Sequence, residues 1–277
     1  MEQTLLEQEK VIRLSFFFGI FALVAIWEIT APRRKLSISK GMRWSANLGV
    51  VVLNTILLRL LFPTAAVGLA LVGEERSWGL LNNFEISPWL GVIIGVGFMD
   101  FAIYAQHVMF HSVPTLWRLH KVHHADLDYD VTTGARFHPI EIILSMVIKL
   151  GVVLSLGPSA QAVLIFEVLL NAMAMFNHGN IYLPIEIDKR LRLFVVTPDM
   201  HRVHHSVHAP LTNSNFGFNL PWWDRIMGTY TAQPLTGHEE MDIGLNEPRE
   251  PKLVSTLPGL LKLPFISHLD KYTINRR

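Results

Sequence analysis

The chain has 277 residues, of which 50% are hydrophobic and only 17% are charged, and its mean hydropathy is +0.32. These values are typical of an integral membrane protein rather than a soluble domain. The 24 basic and 23 acidic residues nearly cancel, so nothing indicates nucleic acid or another polyanion as a partner. The absence of cysteine excludes disulfides, thiolate metal sites and cysteine nucleophiles.

Three apolar runs in the first part of the chain are long enough to cross a bilayer. The first begins at Leu14 and has no small-residue cleavage signature, so we predict a membrane anchor and not a signal peptide. The second covers residues 46–72 and is expected to cross with a tilt or a kink at Pro63. The third begins at Pro88 and continues into the first group of histidines.

Two further apolar stretches over residues 140–176 predict a helical hairpin. The sequence LGPSA separates them, so the turn is expected at Gly157 and Pro158. Lys149 lies in the middle of the first stretch. Because a lysine is costly in hydrocarbon, we expect a hairpin that is re-entrant or shielded by protein.

The charges of the loops predict the orientation. Residues 30–44 contain five basic and no acidic residues, whereas residues 73–87 contain one basic and three acidic residues. The positive-inside rule places the first loop in the cytoplasm. Counting crossings from there puts every histidine group on the cytoplasmic side. The predicted fold is therefore an all-α, multi-pass membrane bundle with a cytoplasmic, histidine-rich cap.

The strongest signal is the clustering of eight of the 13 histidines into three groups. These are His107 and His111 in HVMFH, His120, His123 and His124 in HKVHH, and His201, His204 and His205 in HRVHH. On a helix the first pair shares one face, and each HxxHH group lies within an arc of about 100°. Eight nitrogen ligands are too many for one ion and suit two, so these eight are the candidate catalytic and metal-binding residues.

Other readings of the histidines are less well matched. A membrane cytochrome with two haems needs single histidines spaced across the bilayer rather than adjacent pairs. A zinc hydrolase usually needs only three protein ligands. Single histidines are mostly surface or core residues, which is our interpretation of His238 and His268. A pair of redox-active irons, acting on an apolar substrate from the bilayer, fits best.

These groups and the segments around them resemble the fatty acid hydroxylase/sterol desaturase superfamily of membrane non-haem di-iron enzymes. The matching segments are LWRLHKVHH, ARFHPIE, FNHGN, VTPDMHRVHHS and NFGFNLPWWDRIMGTY, which occur in family order from Gly91 to Tyr230. The resemblance implies that the eight histidines bind two irons beneath the membrane helices. It also implies O2-dependent, two-electron hydroxylation or desaturation of a sterol, fatty acyl or carotenoid type of lipid.

The resemblance extends to further residues and to a partner. His178, in NHGN, matches a family histidine and is the predicted ninth ligand. His138 is left between a ligand and a residue that orients Glu141 or starts the next helix, and His208 is not expected to bind. We find no haem-binding extension, so electrons are expected from a separate protein, cytochrome b5-like or a ferredoxin with its reductase. The HxxxH spacing of the first group looks more like the sterol side of the superfamily.

Several side chains near the histidine groups are candidates to support them. Asp126, Glu141, Asp199, Asp224 and Asp100 are candidate hydrogen-bond acceptors for ligand imidazoles. The alternative is helix capping, or salt bridges to Arg118, Arg136, Arg202 or Arg225. Trp222, Trp223 and Tyr230 are predicted to seal the cap, with an interfacial aromatic role as the alternative.

The predicted domains are N-terminal transmembrane helices over residues 1–90, a catalytic domain over 91–232 and a polar tail over 233–277. Within the tail, STLPGLLKLPFISHL is expected either on the membrane surface or packed on the cap as a strand or loop. Two rival functions stay open. One is an ether-lipid monooxygenase with a pterin donor, and the other is a zinc-binding membrane protein without oxygen chemistry.

Overall fold

The computed structural model describes residues 8–234, 236–266 and 272–274. Within these ranges the chain is helical, and the only β-type pairings are two isolated bridges. The seven longer helices are α1 (Glu9–Thr30), α2 (Lys40–Leu61), α3 (Ala65–Glu75), α4 (Pro88–Ser112), α5 (Pro114–His124), α6 (Pro139–Leu156) and α7 (Ala160–Asn177).

Short helices follow α7. They are α8 (Ile185–Leu191), α9 (Pro198–His204), α10 (Ala209–Thr212), α11 (Trp222–Met227), α12 (Gly237–Glu240), α13 (Pro251–Val254) and α14 (Leu257–Lys262). Elsewhere in the chain, 3-10 turns cover Leu80–Asn83, Thr133–Ala135 and Leu263–Phe265. We call α5, residues 125–138 and all described residues after α7 the cap.

Five helical segments in the described chain are long and apolar enough to cross a membrane. They are Glu9–Thr30, Lys40–Asn83, Pro88–Ser112, Pro139–Leu156 and Ala160–Asn177. Large apolar side chains such as Ile29 and Ile93 are exposed on their outer surfaces, as expected for helices whose solvent is lipid. The prediction of an all-α, multi-pass membrane bundle is confirmed.

The second segment is broken at the predicted proline. Helix α2 ends at Leu61 and α3 begins at Ala65, with Pro63 between them. Proline lacks a backbone N–H and disfavours helical geometry in the residue before it. The expected kink is therefore a complete break.

The predicted hairpin forms as two antiparallel helices. Gly157 ends α6 with φ of +69°, and the Ser159 hydroxyl caps α7 by accepting a hydrogen bond from the N–H of Ala162 at 3.1 Å. A Cβ at Gly157 would lie 2.5 Å from the carbonyl oxygen of Trp78. The turn therefore needs glycine both for its backbone conformation and for close packing.

Lys149 is shielded by an ion pair, in agreement with one of the two expectations for this hairpin. Its ammonium lies 2.6 Å from the carboxylate of buried Glu167 on α7, which also pairs with Arg13 of α1. Arg13 also pairs with Glu9 of α1 at 2.7 Å. Three helices are thus connected by ion pairs between opposite charges.

A buried ion-pair cluster connects α2 to the cap. Arg43 lies 2.7 Å from Asp126 and 2.5 Å from Asp130, and Arg136 lies 3.5 Å from Asp126. Burial alone would raise the pKa of Asp126, but the two guanidinium groups hold it below its usual range. Asp126 therefore follows the salt-bridge alternative and does not contact a histidine of the three groups.

The C-terminal part of the cap packs on α5 and α2. Val254, Leu260 and Leu263 share a core with Trp117 of α5 and Ala46 of α2. The segment STLPGLLKLPFISHL is helical where it is described, so the expectation of a strand or loop was wrong for α14, while the expectation of packing on the cap was right. Residues 267–271, including His268, lie outside the described residues, and the domain boundary at 233 stays a prediction.

Candidate metal centre

Nine histidines converge where the cap meets the end of α4. His107 and His111 lie on α4, His120, His123 and His124 on α5, His178 directly after α7, and His201, His204 and His205 on or directly after α9. All nine are at most 4% exposed. The structure thus brings together all eight histidines of the three groups and the predicted ninth.

The rings form two adjacent groups. The first contains His107, His111, His120, His124 and His204, and the second contains His123, His178, His201 and His205; within each, one nitrogen per ring lies within 4.8 Å of the others. Each HxxHH motif therefore contributes to both groups. The ring centroids of His124 and His205, one from each group, are 4.6 Å apart.

Backbone carbonyls determine which ring nitrogen carries the proton. The Nδ1–H of His107 donates to the carbonyl of Phe216 at 2.8 Å, and that of His204 donates to the carbonyl of Ser214 at 2.7 Å. A carbonyl oxygen only accepts, so Nε2 of each ring carries a lone pair. These two Nε2 atoms are 3.0 Å apart.

The second group has the same arrangement around His178. Its Nδ1–H donates to the carbonyl of Ala174 at 2.7 Å, which leaves Nε2 as the lone-pair atom. That Nε2 lies 3.1 Å from Nε2 of His123 and 3.1 Å from Nε2 of His201. In each group, therefore, ring nitrogens point toward one another and toward the middle of that group.

These contacts fit a metal at each group. Lone pairs that face each other repel, and a cation between them removes the repulsion. Among the described residues, neither ring nitrogen of His124 or of His205 has a hydrogen-bond partner. Buried polar atoms in proteins are nearly always bonded. The unpartnered nitrogens of this centre are therefore suited to metal coordination.

Burial favours the neutral form of the imidazoles in the two groups, which is the form that binds metals. Burial lowers the pKa of His120 and of His178 to about 3. Burial, reinforced by neighbouring rings, lowers the pKa of His124 and His205 well below the ordinary value. A metal would therefore not have to displace protons from these rings at neutral pH.

One predicted carboxylate touches the centre. Oε1 of Glu141, at the start of α6, accepts a hydrogen bond from Nδ1 of His120 at 2.6 Å. Nε2 of His120 then points to Nε2 of His107 at 3.0 Å. Glu141 thus positions a histidine in the way predicted for it.

The other predicted carboxylates support loops instead. Asp199 pairs with Arg202 and Arg33, Asp100 accepts from the indole N–H of Trp223 at 2.7 Å, and Asp224 accepts from the backbone N–H of Phe216 at 2.8 Å. None of the three contacts a histidine ring of the centre directly. Asp224 contacts the centre indirectly, because it fixes Phe216, whose carbonyl accepts the Nδ1–H hydrogen bond of His107.

Asn213 was missed in the sequence. Its Oδ1 accepts from Nδ1 of His111 at 3.1 Å, while its amide donates to the carbonyl of Tyr272 at 2.7 Å. Nothing in its type or spacing connected it to a residue 102 positions away. The family-like segment NFGFNLPWWDRIMGTY begins two residues later, at Asn215, and was the only nearby indication that this loop belongs to the site.

The remaining histidines lie outside both groups. His138 caps α6 by accepting a hydrogen bond from the N–H of Ile140 at 3.2 Å. Of the alternatives given for this residue, the structure therefore agrees with the start of the helix. His208 is exposed. His238 is buried, and its Nε2 lies 2.8 Å from the amide oxygen of Gln233, which agrees with the prediction of a core residue.

The aromatic residues predicted to seal the cap differ from one another. Trp223 packs on Phe101, with ring centroids 5.0 Å apart. Tyr230 packs under Arg225. Trp222 is 46% exposed, so the sealing role was wrong for this residue.

The fold and the site together define an all-helical, multi-pass membrane protein with a buried nine-histidine centre suited to metal. A family model described as fatty acid hydroxylase matches residues 92–229, about half of the chain. The chain belongs to the fatty acid hydroxylase family, and the resemblance noted in the sequence is confirmed.

Curated proteins of two kinds are similar to it. Human alkylglycerol monooxygenase is 30% identical over 62% of this chain and 37% of its own length, and the Xenopus tropicalis protein of that name is 28% identical over 76% and 45%. Ornithine lipid hydroxylase OlsE of Rhizobium tropici is 29% identical over 66% and 54%. The matches thus span about two fifths to half of these relatives. No solved structure shows a significant match.

Proposed function

We propose that this chain is a membrane-bound, O2-dependent lipid oxygenase that holds two irons with nine histidines. The observation that carries the proposal is the division of the buried rings into groups of five and four. Five nitrogen donors exceed the four ligands of a tetrahedral zinc site, and imidazole is a good ligand for iron. A purely structural zinc site is therefore disfavoured.

Two bound irons would supply O2 activation with two external electrons, so that one oxygen atom enters a C–H bond and the other leaves as water. The protein's own residues prepare the site for this chemistry. Phe216, Ser214, Ala174 and Glu141 hold the ring protons on Nδ1 and keep Nε2 free. The burial of all nine rings excludes bulk water.

The location of the centre supports a lipid substrate. His107 lies 19 residues after Pro88 on α4, which is about 29 Å along a helix and close to the ~30 Å thickness of the hydrocarbon core. The centre therefore lies near one membrane surface, and the charges of the loops favour the cytoplasmic one. The names of these relatives favour hydroxylation over desaturation, and lipids with polar headgroups over sterols or carotenoids.

The metal is tested first, on detergent-purified protein grown with iron-57. We expect about two irons per chain by elemental analysis and a coupled pair by Mössbauer spectroscopy. The variants His123→Ala and His204→Ala should lose metal, whereas His208→Ala, which changes an exposed histidine outside both groups, should retain it. One zinc per chain in protein grown with ample iron would contradict the proposal.

The reaction is tested with alkylglycerols and with ornithine lipids in nanodiscs under ¹⁸O₂. A tetrahydropterin and a reduced ferredoxin or cytochrome b5 system are compared as donors. We expect one ¹⁸O atom in the lipid product, and none with His204→Ala. Product that forms without O2, or no product from either lipid with either donor in iron-loaded protein, would count against this function.

A further inference from the structure

A part of the cap packs at the depth of the membrane interior. Asp100 is buried on α4 and accepts hydrogen bonds from the indole N–H of Trp223 at 2.7 Å and from the N–H of Leu220 at 3.3 Å. Phe101, the next residue of α4, packs on the ring of Trp223 with centroids 5.0 Å apart. Helix α11 therefore lies beside the middle of α4.

The length of α4 fixes how deep this contact is. The helix has 25 residues, which is about 37 Å, whereas the hydrocarbon core is about 30 Å thick. Asp100 is 12 residues from each end of the helix. If the core lies anywhere within the length of α4, Asp100 is at least about 10 Å inside it.

The outer side of α11 is apolar and exposed at this depth. A second segment, residues 185–194, lies next to it, because the indole N–H of Trp222 donates to the carbonyl of Leu193 at 2.7 Å. We call these two segments the rim. Its exposed apolar side chains include Ile187, Leu193, Phe194, Trp222, Ile226 and Met227. Ile226 is 69% exposed and Phe194 is 65% exposed.

The surroundings of the rim favour lipid over a protein partner. Its aromatic contacts continue onto α4, a candidate membrane span, because Phe101 packs on Trp223 and its ring centroid lies 6.4 Å from that of the exposed Phe98. Exposed charged residues flank the apolar side chains: Lys189, which pairs with Glu186 at 2.8 Å, and the basic residues Arg190 and Arg225. Long basic side chains reach from an apolar surface toward lipid phosphates.

We infer that the rim is embedded in the hydrocarbon of one leaflet and anchors the cap there without spanning the membrane. Neither rim segment is long enough to cross a bilayer. The exposed Trp222 then faces lipid instead of sealing the cap. This inference depends on neither the metal nor the reaction.

The absence of cysteine in the chain makes a direct test simple. Single variants Ile226→Cys and Phe194→Cys are labelled with bimane and reconstituted in phosphatidylcholine vesicles. Matched controls are Ile93→Cys on the lipid-facing side of α4 and Glu240→Cys on the exposed part of the cap. Fluorescence is quenched either by lipids brominated on their acyl chains or by aqueous iodide.

We expect both rim labels to behave like the label at position 93, with bromolipid quenching several-fold stronger than at position 240 and with little quenching by iodide. Iodide quenching equal to that at position 240 would overturn the inference, and it is the result expected if a separate protein normally covers the rim. Protection from both quenchers that disappears on dilution of the protein would also overturn it, in favour of contact between two copies.

Discussion

Glu141 is the residue whose side chain most directly prepares a histidine for metal. The carboxylate accepts the Nδ1 proton of His120, and both groups are nearly fully buried. Without this acceptor, the ring is free to rotate or to place its proton on the nitrogen that faces His107. Acceptors of this kind orient metal ligands and increase their basicity.

We expect Glu141→Ala to lower metal affinity about 10- to 100-fold, the range seen when such acceptors are removed. Glu141→Gln should lose less, because its amide oxygen still accepts the His120 proton. Metal retention is measured against increasing chelator concentration. Glu186→Ala, which changes an exposed glutamate of α8, is the matched control, and equal retention by Glu141→Ala and this control would contradict the role.

The spacing of the histidines predicted which of them lie close together, but it did not predict the hydrogen-bond acceptors that orient their rings. The i, i+3, i+4 pattern places His120, His123 and His124 on one side of α5, and this follows from helix geometry alone. The acceptors behind His107 and His204 are carbonyl oxygens from the loop around Phe216. Every residue has a carbonyl, so no residue type marks such an acceptor in a sequence.

At the scale of elements, the hairpin of α6 and α7 depends on one glycine. Gly157→Ala would place a side chain in a left-handed conformation and 2.5 Å from the carbonyl of Trp78. The conformation alone costs about 1 kcal/mol or more, and the close contact adds to it. We expect a midpoint of thermal unfolding in detergent several degrees lower than that of the unchanged protein.

Gly151→Ala is the control for this prediction. Gly151 lies within α6, and a Cβ there would have no atom within 4 Å. Because alanine favours a helix over glycine by about 1 kcal/mol, this variant should be as stable as the unchanged protein or more so. Equal midpoints for the two variants would show that the turn tolerates a side chain.

Long apolar elements were predictable, whereas the short helices of the cap were not. Two apolar runs around LGPSA indicated the hairpin, and Pro63 indicated where the second span ends. Helices of four to seven residues, such as α9 and α14, are too short to show a periodic pattern. They are stabilised by packing, as for Leu260 of α14 against the core around Trp117.

At the scale of the whole molecule, the nine-histidine centre joins the membrane bundle to the cap. Its rings come from α4, α5, the end of α7 and α9. Without metal, nitrogen lone pairs face one another at 3.0 Å to 3.1 Å. A ligand that binds only the folded state stabilises it by about 4 kcal/mol at a thousandfold excess over its dissociation constant.

Removing metal with a chelator should therefore lower the midpoint of thermal unfolding in detergent by several degrees, and adding iron under anaerobic conditions should restore it. In His204→Ala the chelator should have a smaller effect, because the first group has already lost a ring. A midpoint that does not change when the unchanged protein loses all of its metal would show that the centre does not join the two parts.

Because each HxxHH motif contributes to both groups, the second motif must be synthesised before either group can be complete. A nascent chain that ends before Pro198 already contains four of the five rings of the first group but only His123 and His178 of the second. The first group is complete only once His204 has been synthesised, and the second only once His205 has been. By then all five candidate spans have been synthesised. If the centre binds metal as proposed, we therefore expect metal insertion only after all five candidate spans have been synthesised.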